Sequence, residues 1–154
     1  MGMLTHYFAA ADDASAAIRA TEPADPVEDD GPPGAASLDI VRLAGLEPFV
    51  RLGTLTSRLT GRSYGEVTRH PRHGTVVGSG GDDGPWVVTV SDELVRALAA
   101  STRTVLEGVV DDWPEPPART GAEPQWPAAA LHELAELCAR ARDTGHRVYC
   151  WACL

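Results

Sequence analysis

The chain has 154 residues, 44% of them hydrophobic and 6% aromatic, and this size and composition predict one domain with a mainly aliphatic core. Its formal net charge of −9 argues against non-specific nucleic-acid binding, because a basic stripe would be needed to replace the counterions of the phosphates. No apolar run approaches the roughly 18 residues that cross a membrane, and residues 1–11 lack the pattern of a secretion signal, so we expect a cytoplasmic protein. Because the 3 cysteines are an odd number, we expect them to be free thiols.

The opening of the chain predicts a strand, a short helix and an acidic surface loop. Residues 3–9 have the composition of a strand, and Asp12 or Asp13 is suited to cap an Ala-rich helix that ends near Ala20. Residues 21–37 are rich in proline and carboxylates, and such a segment has too little apolar surface to pack. We therefore expect a long surface loop over this segment.

The middle of the chain predicts a helix and then a strand. Residues 48–59 predict a helix that begins with a proline and closes at Gly61, and a helical turn capped by Asp39 is expected before it. Residues 62–73 are polar and predict a connection, whereas residues 74–78 predict a brief strand.

A second strand, a helix and another long loop follow. Residues 86–90 are rich in β-forming side chains and predict a strand, after which Ser91 is suited to cap a helix. Apolar residues at helical spacing continue that helix: Leu94, Leu98, Val105 and Val109. Residues 111–126 are again rich in proline, with Trp113 and Trp126 near the two ends, and predict a second long surface loop.

Residues 126–154 predict one long amphipathic helix followed by a strand. Pro127 suits the first helical position. The apolar residues that recur at spacings of three and four are Leu131, Leu134, Leu137, Cys138 and Ala141. Gly145 is suited to close the helix in the left-handed conformation, and residues 146–151 are rich in β-forming side chains. Together with the earlier elements, this unit predicts a single α+β domain over residues 1–154.

Short motifs spread over nearly the whole chain carry a resemblance to a known family. They are Met1-Gly2-Met3 with Tyr7, Asp12-Asp13, Leu38-Asp39, Arg58-Leu59-Thr60-Gly61, Val76-Val77-Gly78, Val90-Ser91-Asp92-Glu93-Leu94-Val95, and Gly145 between a long helix and a terminal strand. In this order they resemble the YfbM-like family of small bacterial proteins. The resemblance implies an α+β fold with a small antiparallel or mixed sheet flanked by about four helices, and it supplies no catalytic residues.

A Cys-x-x-Cys motif is the sharpest candidate for metal chemistry. Cys150 and Cys153 are spaced as zinc ligands are, and His146 and Cys138 could complete a tetrahedral site if the strand folded back on the helix. However, structural zinc sites usually pair two such motifs, and in a strand the two cysteines would point to opposite faces. Free thiols without a cofactor are therefore the main expectation, and a zinc site is the alternative.

Two other histidine patterns give weaker signals. His70 and His73 lie close together in a polar stretch, but no third ligand is identifiable, so an exposed loop is the main expectation. His132 and Glu136 are four residues apart on the predicted last helix, a spacing that favours an ordinary surface pair.

Tryptophan placement and charge lead to the functional expectation. Trp113 and Trp126 are suited either to anchor a protein partner or to fix the loop between them to the domain. Because no acid, base, nucleophile or ligand set converges in the sequence, we expect a protein that acts by binding, as an immunity-type or regulatory partner, rather than an enzyme. A basic or cationic partner is compatible with the acidic charge. The alternative is a small metal-binding protein or enzyme that uses His146, Cys150 and Cys153.

Overall fold

The computed structural model describes residues 3–21, 40–43, 45–113 and 128–154. The two expected surface loops, 21–37 and 111–126, therefore lie outside the described residues except at residues 21 and 111–113. The described residues form an α+β domain in which helices cover one antiparallel sheet, which confirms the predicted fold class.

The sheet has five strands: β1 Leu4–Ala10, β2 Ile40–Arg42, β3 Val76–Ser79, β4 Trp86–Thr89 and β5 Arg147–Cys153. Their order is β2-β1-β5-β4-β3, and every neighbouring pair is antiparallel. The last strand of the chain, β5, is thus the central strand of the sheet. It pairs with β1 over its whole length and with β4 over four residues.

β5 is buried on both faces, which explains its nearly continuous run of apolar and aromatic side chains. Val148, Cys150 and Ala152 belong to the larger core, whereas Tyr149 and Trp151 belong to a smaller cluster on the other face. Successive side chains of a strand point to opposite faces, so this one segment supplies both cores.

The described ranges contain six α-helices: α1 Asp13–Ala17, α2 Val50–Thr60, α3 Tyr64–Thr68, α4 Asp92–Ala100, α5 Arg103–Asp111 and α6 Ala128–Thr144. α1 continues into a 3-10 turn at Ile18–Thr21. Four of the helices have nine residues or more, and α1 and α3 have five each.

The longer helices cover the larger-core face of the sheet. α6 packs against α4 and β1, and α2 packs against α4. All the apolar positions predicted for the last helix are buried in this core. The Tyr7 hydroxyl donates to the Leu46 carbonyl (2.6 Å) and so fixes the segment before α2 to the same face. α1 and its 3-10 turn lie on the opposite face, against β1, β3 and β4.

Two local predictions were wrong because strand pairing and helix capping outweighed the local sequence pattern. Ile40–Arg42 is strand β2 rather than part of a helical turn, because these residues pair with β1 at the sheet edge. Asp39, the expected cap, lies outside the described residues. The polar stretch 62–73 is not only a connection but contains α3, which a capping box between Ser63 and Glu66 begins.

The helix predicted from Leu94 to Val109 is two helices. α4 ends before Ser101, and the Thr102 side chain caps α5 by accepting from the Val105 backbone N–H. The break changes the helix face that meets the core. Val105 is consequently exposed, and the residue that α5 buries is Leu106.

Candidate functional site

Trp113 lies directly after α5. Its ring is partly buried against the larger core, and the Arg58 guanidinium lies over it, with 5.9 Å between Cζ and the ring centroid. This placement ties the end of α5 to the domain while part of the ring stays at the surface. Trp126, the other expected contact residue, lies outside the described residues.

The candidate metal ligands are not brought together in the structure. Cys150 and Cys153 lie on opposite faces of β5. Since strand residues advance about 3.3 Å each, roughly 10 Å separates them along the strand. His146 is exposed and precedes the other end of the strand, whereas Cys138 shares the larger core with Cys150. Over the described ranges, no three His, Cys, Asp or Glu side chains are grouped so that they could hold one metal ion.

Burial sets the chemistry of two of the thiols. It raises the pKa of Cys138 to about 12 and also raises the pKa of Cys150 well above its usual value. Because the thiolate is the nucleophile and the metal ligand, both groups are protonated and unreactive near neutral pH. Cys153 differs, since it is partly exposed.

The structure brings together three polar side chains that the sequence pattern did not group. The Tyr149 hydroxyl donates to Asp13 Oδ1 (2.7 Å), and Arg72 Nη1 donates to Oδ1 and Oδ2 of the same carboxylate (3.0 and 3.2 Å). Asp13 begins α1, Tyr149 lies on β5, and Arg72 lies between α3 and β3. We call these three residues the Asp13 cluster. It joins three distant parts of the chain on the smaller-core side of the sheet.

Electrostatics keep the Asp13 cluster in one protonation state near neutral pH. The hydrogen bond from Tyr149, followed by those from Arg72, lowers the pKa of Asp13. Burial, together with the hydrogen bond to Asp13, raises the pKa of Tyr149 to about 12. Asp13 is therefore a carboxylate and Tyr149 a neutral donor, so the cluster is suited to hold elements together rather than to transfer protons.

Arg72 is held from several sides but has unused donors. Its side chain is 14% exposed, and its Nε and Nη2 atoms are buried without a hydrogen-bond partner in the described part of the chain. The Asp92 carboxylate is 3.9 Å from Nε, and the guanidinium lies over the Tyr149 ring. The Thr89 hydroxyl donates to the Arg72 carbonyl (2.6 Å), which fixes the backbone as well.

A cavity of about 310 Å³ opens next to the Asp13 cluster. It is lined by residues 8–11, Ser15, Ile18, Arg19 and His146. The Phe8 ring stacks on Tyr149 with 5.8 Å between centroids, and the Arg19 guanidinium lies over the Phe8 ring at 5.3 Å. We call this cavity the Phe8 pocket. It combines a mainly apolar lining with two basic side chains, and α1, one of its walls, is the helix that the Asp13 cluster holds to the sheet.

The exposed edge of α2 is a second surface feature. Phe49, Val50 and Tyr64 are 39%, 60% and 42% exposed. Glycines allow the aromatic rings to lie close to the backbone, because a Cβ on Gly53 would be 2.9 Å from the Tyr64 ring and one on Gly74 would be 3.0 Å from the Phe49 ring. At the other end of the helix, Arg58 lies over Trp113. We call Phe49, Val50, Arg58, Tyr64 and Trp113 the α2 edge.

Comparison with protein-family models, with curated proteins and with solved structures finds no match for this chain. The resemblance to the YfbM-like family therefore stays a prediction. Within the described ranges, none of the helices has the length and apolarity that crossing a bilayer requires.

Proposed function

We propose that this protein acts by binding a protein partner, as an immunity-type or regulatory protein, through the α2 edge and the adjoining segment from Trp113 to Trp126. The observation that supports the proposal is the exposure of two aromatic rings, that of Phe49 immediately before α2 and that of Tyr64, which lies close to Gly53 of α2. The sequence holds only 2 Phe and 3 Tyr, so this surface carries a large share of them. Tyr, Trp and Arg dominate the energetics of protein interfaces, and the α2 edge contains all three.

The distribution of charge favours a basic partner. The described residues contain 14 of the 22 carboxylates and 12 of the 13 arginines, a net charge of −2. Residues 22–39 contain six carboxylates and no arginine, so this segment holds most of the net charge of −9. A concentrated acidic segment attracts a positively charged surface over about 8 Å at physiological salt. The proposed site of action is the cytoplasm.

The test is affinity purification of the tagged protein from its own host, with co-purified proteins quantified by mass spectrometry. Wild type is compared with Phe49→Ala/Tyr64→Ala, Trp113→Ala and Trp126→Ala. Val105→Ala is the matched control, because Val105 is also exposed but is not one of the residues of the α2 edge. We expect a stoichiometric basic partner with wild type and the control, and at least a tenfold lower recovery with the other variants.

Two results would remove the proposal. One is the absence of any stoichiometric partner with wild type. The other is equal recovery with Phe49→Ala/Tyr64→Ala and with Val105→Ala, provided that thermal melts show all variants folded. Replacing the carboxylates of residues 22–39 by amides tests the charge argument separately, and we expect weaker recovery that raised salt no longer changes.

The alternative role, metal binding or catalysis with His146, Cys150 and Cys153, is tested by elemental analysis. Protein purified without chelator would have to contain close to one equivalent of metal, and Cys150→Ser would have to remove it. A content below about a tenth of an equivalent would count against this role.

A further inference from the structure

His73 lies next to both exposed aromatic rings of the α2 edge. A Cβ built on Gly53 would be 3.2 and 3.3 Å from the Cε1 and Nε2 atoms of His73 and 2.9 Å from the Tyr64 ring, so both rings lie against the same residue of α2. Gly74 follows His73, and a Cβ built on it would be 3.0 Å from the Phe49 ring. His73 itself is partly buried. A partner that covers the two exposed rings therefore covers His73 as well.

The connection that carries His73 is fixed to the rest of the domain. The His73 backbone N–H donates to the His70 carbonyl (2.9 Å), and the Thr89 hydroxyl, on β4, donates to the Arg72 carbonyl (2.6 Å). These bonds hold the backbone on the N-terminal side of His73. They keep the imidazole beside α2.

The surroundings of His73 favour its neutral form. Burial is the largest effect and lowers the pKa of His73, as does the neighbouring His70. A hydrogen bond with the Phe49 backbone and the charge of Glu47 raise the pKa but do not outweigh burial. The Glu47 carboxylate accepts two backbone N–H groups at the start of α2, that of Phe49 at 2.8 Å. Tyr64 of α3 is the other titratable group beside the ring.

A partner on the α2 edge would favour the neutral form further. It removes water from the imidazole, which disfavours the charged form, and a basic partner surface repels the imidazolium as well. The pKa of His73 is then lower in the complex than in the free protein, and each unit of that difference is tenfold in affinity. Affinity is therefore full above the pKa of His73 in the free protein, which lies below the usual value of about 6.5, and falls as the pH drops through it.

We propose that the α2 edge is a pH-sensitive docking surface, to which the basic partner binds while His73 is neutral and from which it dissociates when His73 gains a proton. This regulation rests on the proposed function, because it acts on the same surface.

The experiment is a calorimetric titration of the full-length protein with the purified partner from the affinity purification, at several pH values between 7.5 and 5. We expect at least tenfold weaker binding of wild type at pH 5 than at pH 7.5. His73→Gln remains neutral and keeps an N–H donor, so it should bind about as tightly as wild type at pH 7.5 and keep that affinity at pH 5. Carboxylates stay largely ionised in this range, so the attraction of residues 22–39 for the partner is retained.

His132→Gln is the matched control, because His132 is a partly exposed histidine that pairs with Glu136 on α6 and does not belong to the α2 edge. It should show the pH dependence of wild type. A second measurement needs only wild type: the NMR titration of the His73 Cε1–H resonance, which should give a lower pKa in the complex than in the free protein.

Three results overturn the regulation and leave the proposed function intact. They are wild-type affinity that is equal at pH 7.5 and 5, the same pH dependence in His73→Gln as in wild type, and equal pKa values of His73 in the free protein and the complex. The last comparison decides the matter even if His73→Gln fails to fold. The absence of any partner in the affinity purification would instead remove the proposed function and the regulation together.

Discussion

Asp13 accepts hydrogen bonds from two donors that lie far apart in the sequence. Tyr149 contributes an uncharged hydroxyl and Arg72 a charged guanidinium, and both meet a side chain that is 46% exposed. The partial exposure limits what the ion pair contributes, because water screens it. Exposure of Asp13 reduces the contribution of the hydrogen bond from Tyr149 less. Tyr149 is buried, so its hydroxyl could not donate to water instead if Asp13 were removed.

Tyr149→Phe is therefore expected to lower the free energy of unfolding by about 1–2 kcal/mol. A hydrogen bond to a charged group contributes about 1.5–3 kcal/mol, and the partial exposure of Asp13 reduces that contribution. Tyr64→Phe is the control. Tyr64 is 42% exposed, so water takes the place of its hydroxyl in any hydrogen bond that the substitution breaks. Urea denaturation measures both. In an Asp13→Asn background the loss from Tyr149→Phe should shrink, and an equal loss in both backgrounds would show that the hydroxyl acts elsewhere.

The thiols give a second expectation for single residues. Native protein should react with one equivalent of a thiol reagent such as 5,5′-dithiobis(2-nitrobenzoate), and protein in urea with three, because Cys138 and Cys150 are buried and Cys153 is partly exposed. Cys153→Ser should reduce the native count to near zero. A rapidly reacting thiol in native Cys153→Ser protein would contradict the burial of Cys138 or Cys150.

Residue roles could be predicted from sequence only where the partner is local. Ser91 caps α4 as predicted, and His132 and Glu136 form the predicted surface pair at 3.4 Å. By contrast, Asp13 and Tyr149 are 136 residues apart, and no spacing rule links them. A tyrosine in a buried strand does indicate that its hydroxyl needs a partner, but the partner's identity follows only from the fold.

At the scale of elements, the close approach of α1 to β3 depends on one small residue. A Cβ built on Gly78 would lie 2.8 Å from both the Cα and the carbonyl oxygen of Ala17. Backbone atoms cannot rotate away as a side-chain tip can, so any larger residue must push the two elements apart. α1 also forms a wall of the Phe8 pocket, so the same displacement would change the pocket.

Gly78→Ala is expected to destabilise the protein by about 1–3 kcal/mol, the usual cost of overpacking. Gly108→Ala is the matched control, since a Cβ there would meet nothing within 4 Å and Gly108 lies in α5. This control is expected to be neutral or up to about 1 kcal/mol stabilising, because alanine favours a helix over glycine. Thermal and urea unfolding measure both changes. If both substitutions changed the free energy of unfolding equally, the close contact between α1 and β3 would not limit the size of residue 78.

Elements were predicted correctly where a strong local signal agreed with the tertiary contacts. The junction from β4 to α4 has a Val-rich strand, a capping serine and an apolar stripe, and all three are present in the structure. β2 was missed because three residues are too few to show a strand period, and its pairing with β1 decides its conformation. The division between α4 and α5 was missed because the apolar spacing continues across it.

For the whole molecule, depressed carboxylate pKa values link stability to pH. Hydrogen bonds from Ser15 lower the pKa of Asp12, those from Ser63 lower the pKa of Glu66, and Tyr149 and Arg72 lower that of Asp13. A group whose pKa is lower in the folded state stabilises the fold above its unfolded pKa, about 3.9–4.3 for these residues. That stabilisation is lost as the pH falls through the folded pKa.

The free energy of unfolding should therefore fall when the pH is lowered from 5 to 3. Asp13→Asn should lower stability at pH 7 and make the decrease between pH 5 and 3 shallower, because one of the linked carboxylates is gone. Urea denaturation at pH 7, 5 and 3 gives these values. If the free energy of unfolding of Asp13→Asn fell as steeply between pH 5 and 3 as that of wild type, protonation of Asp13 would not contribute to acid unfolding.

The central position of β5 has a consequence for the folding pathway. Leu4 pairs with Cys153, so the middle of the sheet forms only when the two ends of the described chain meet, and such long-range closure is slow. Before that, the sheet consists of two separate two-stranded ribbons, one of β1 and β2 and the other of β3 and β4. Such ribbons are marginally stable in water, and here the edges of β1 and β4 are unpaired. The interval before β5 inserts between them is therefore the stage at which self-association during refolding would compete with folding.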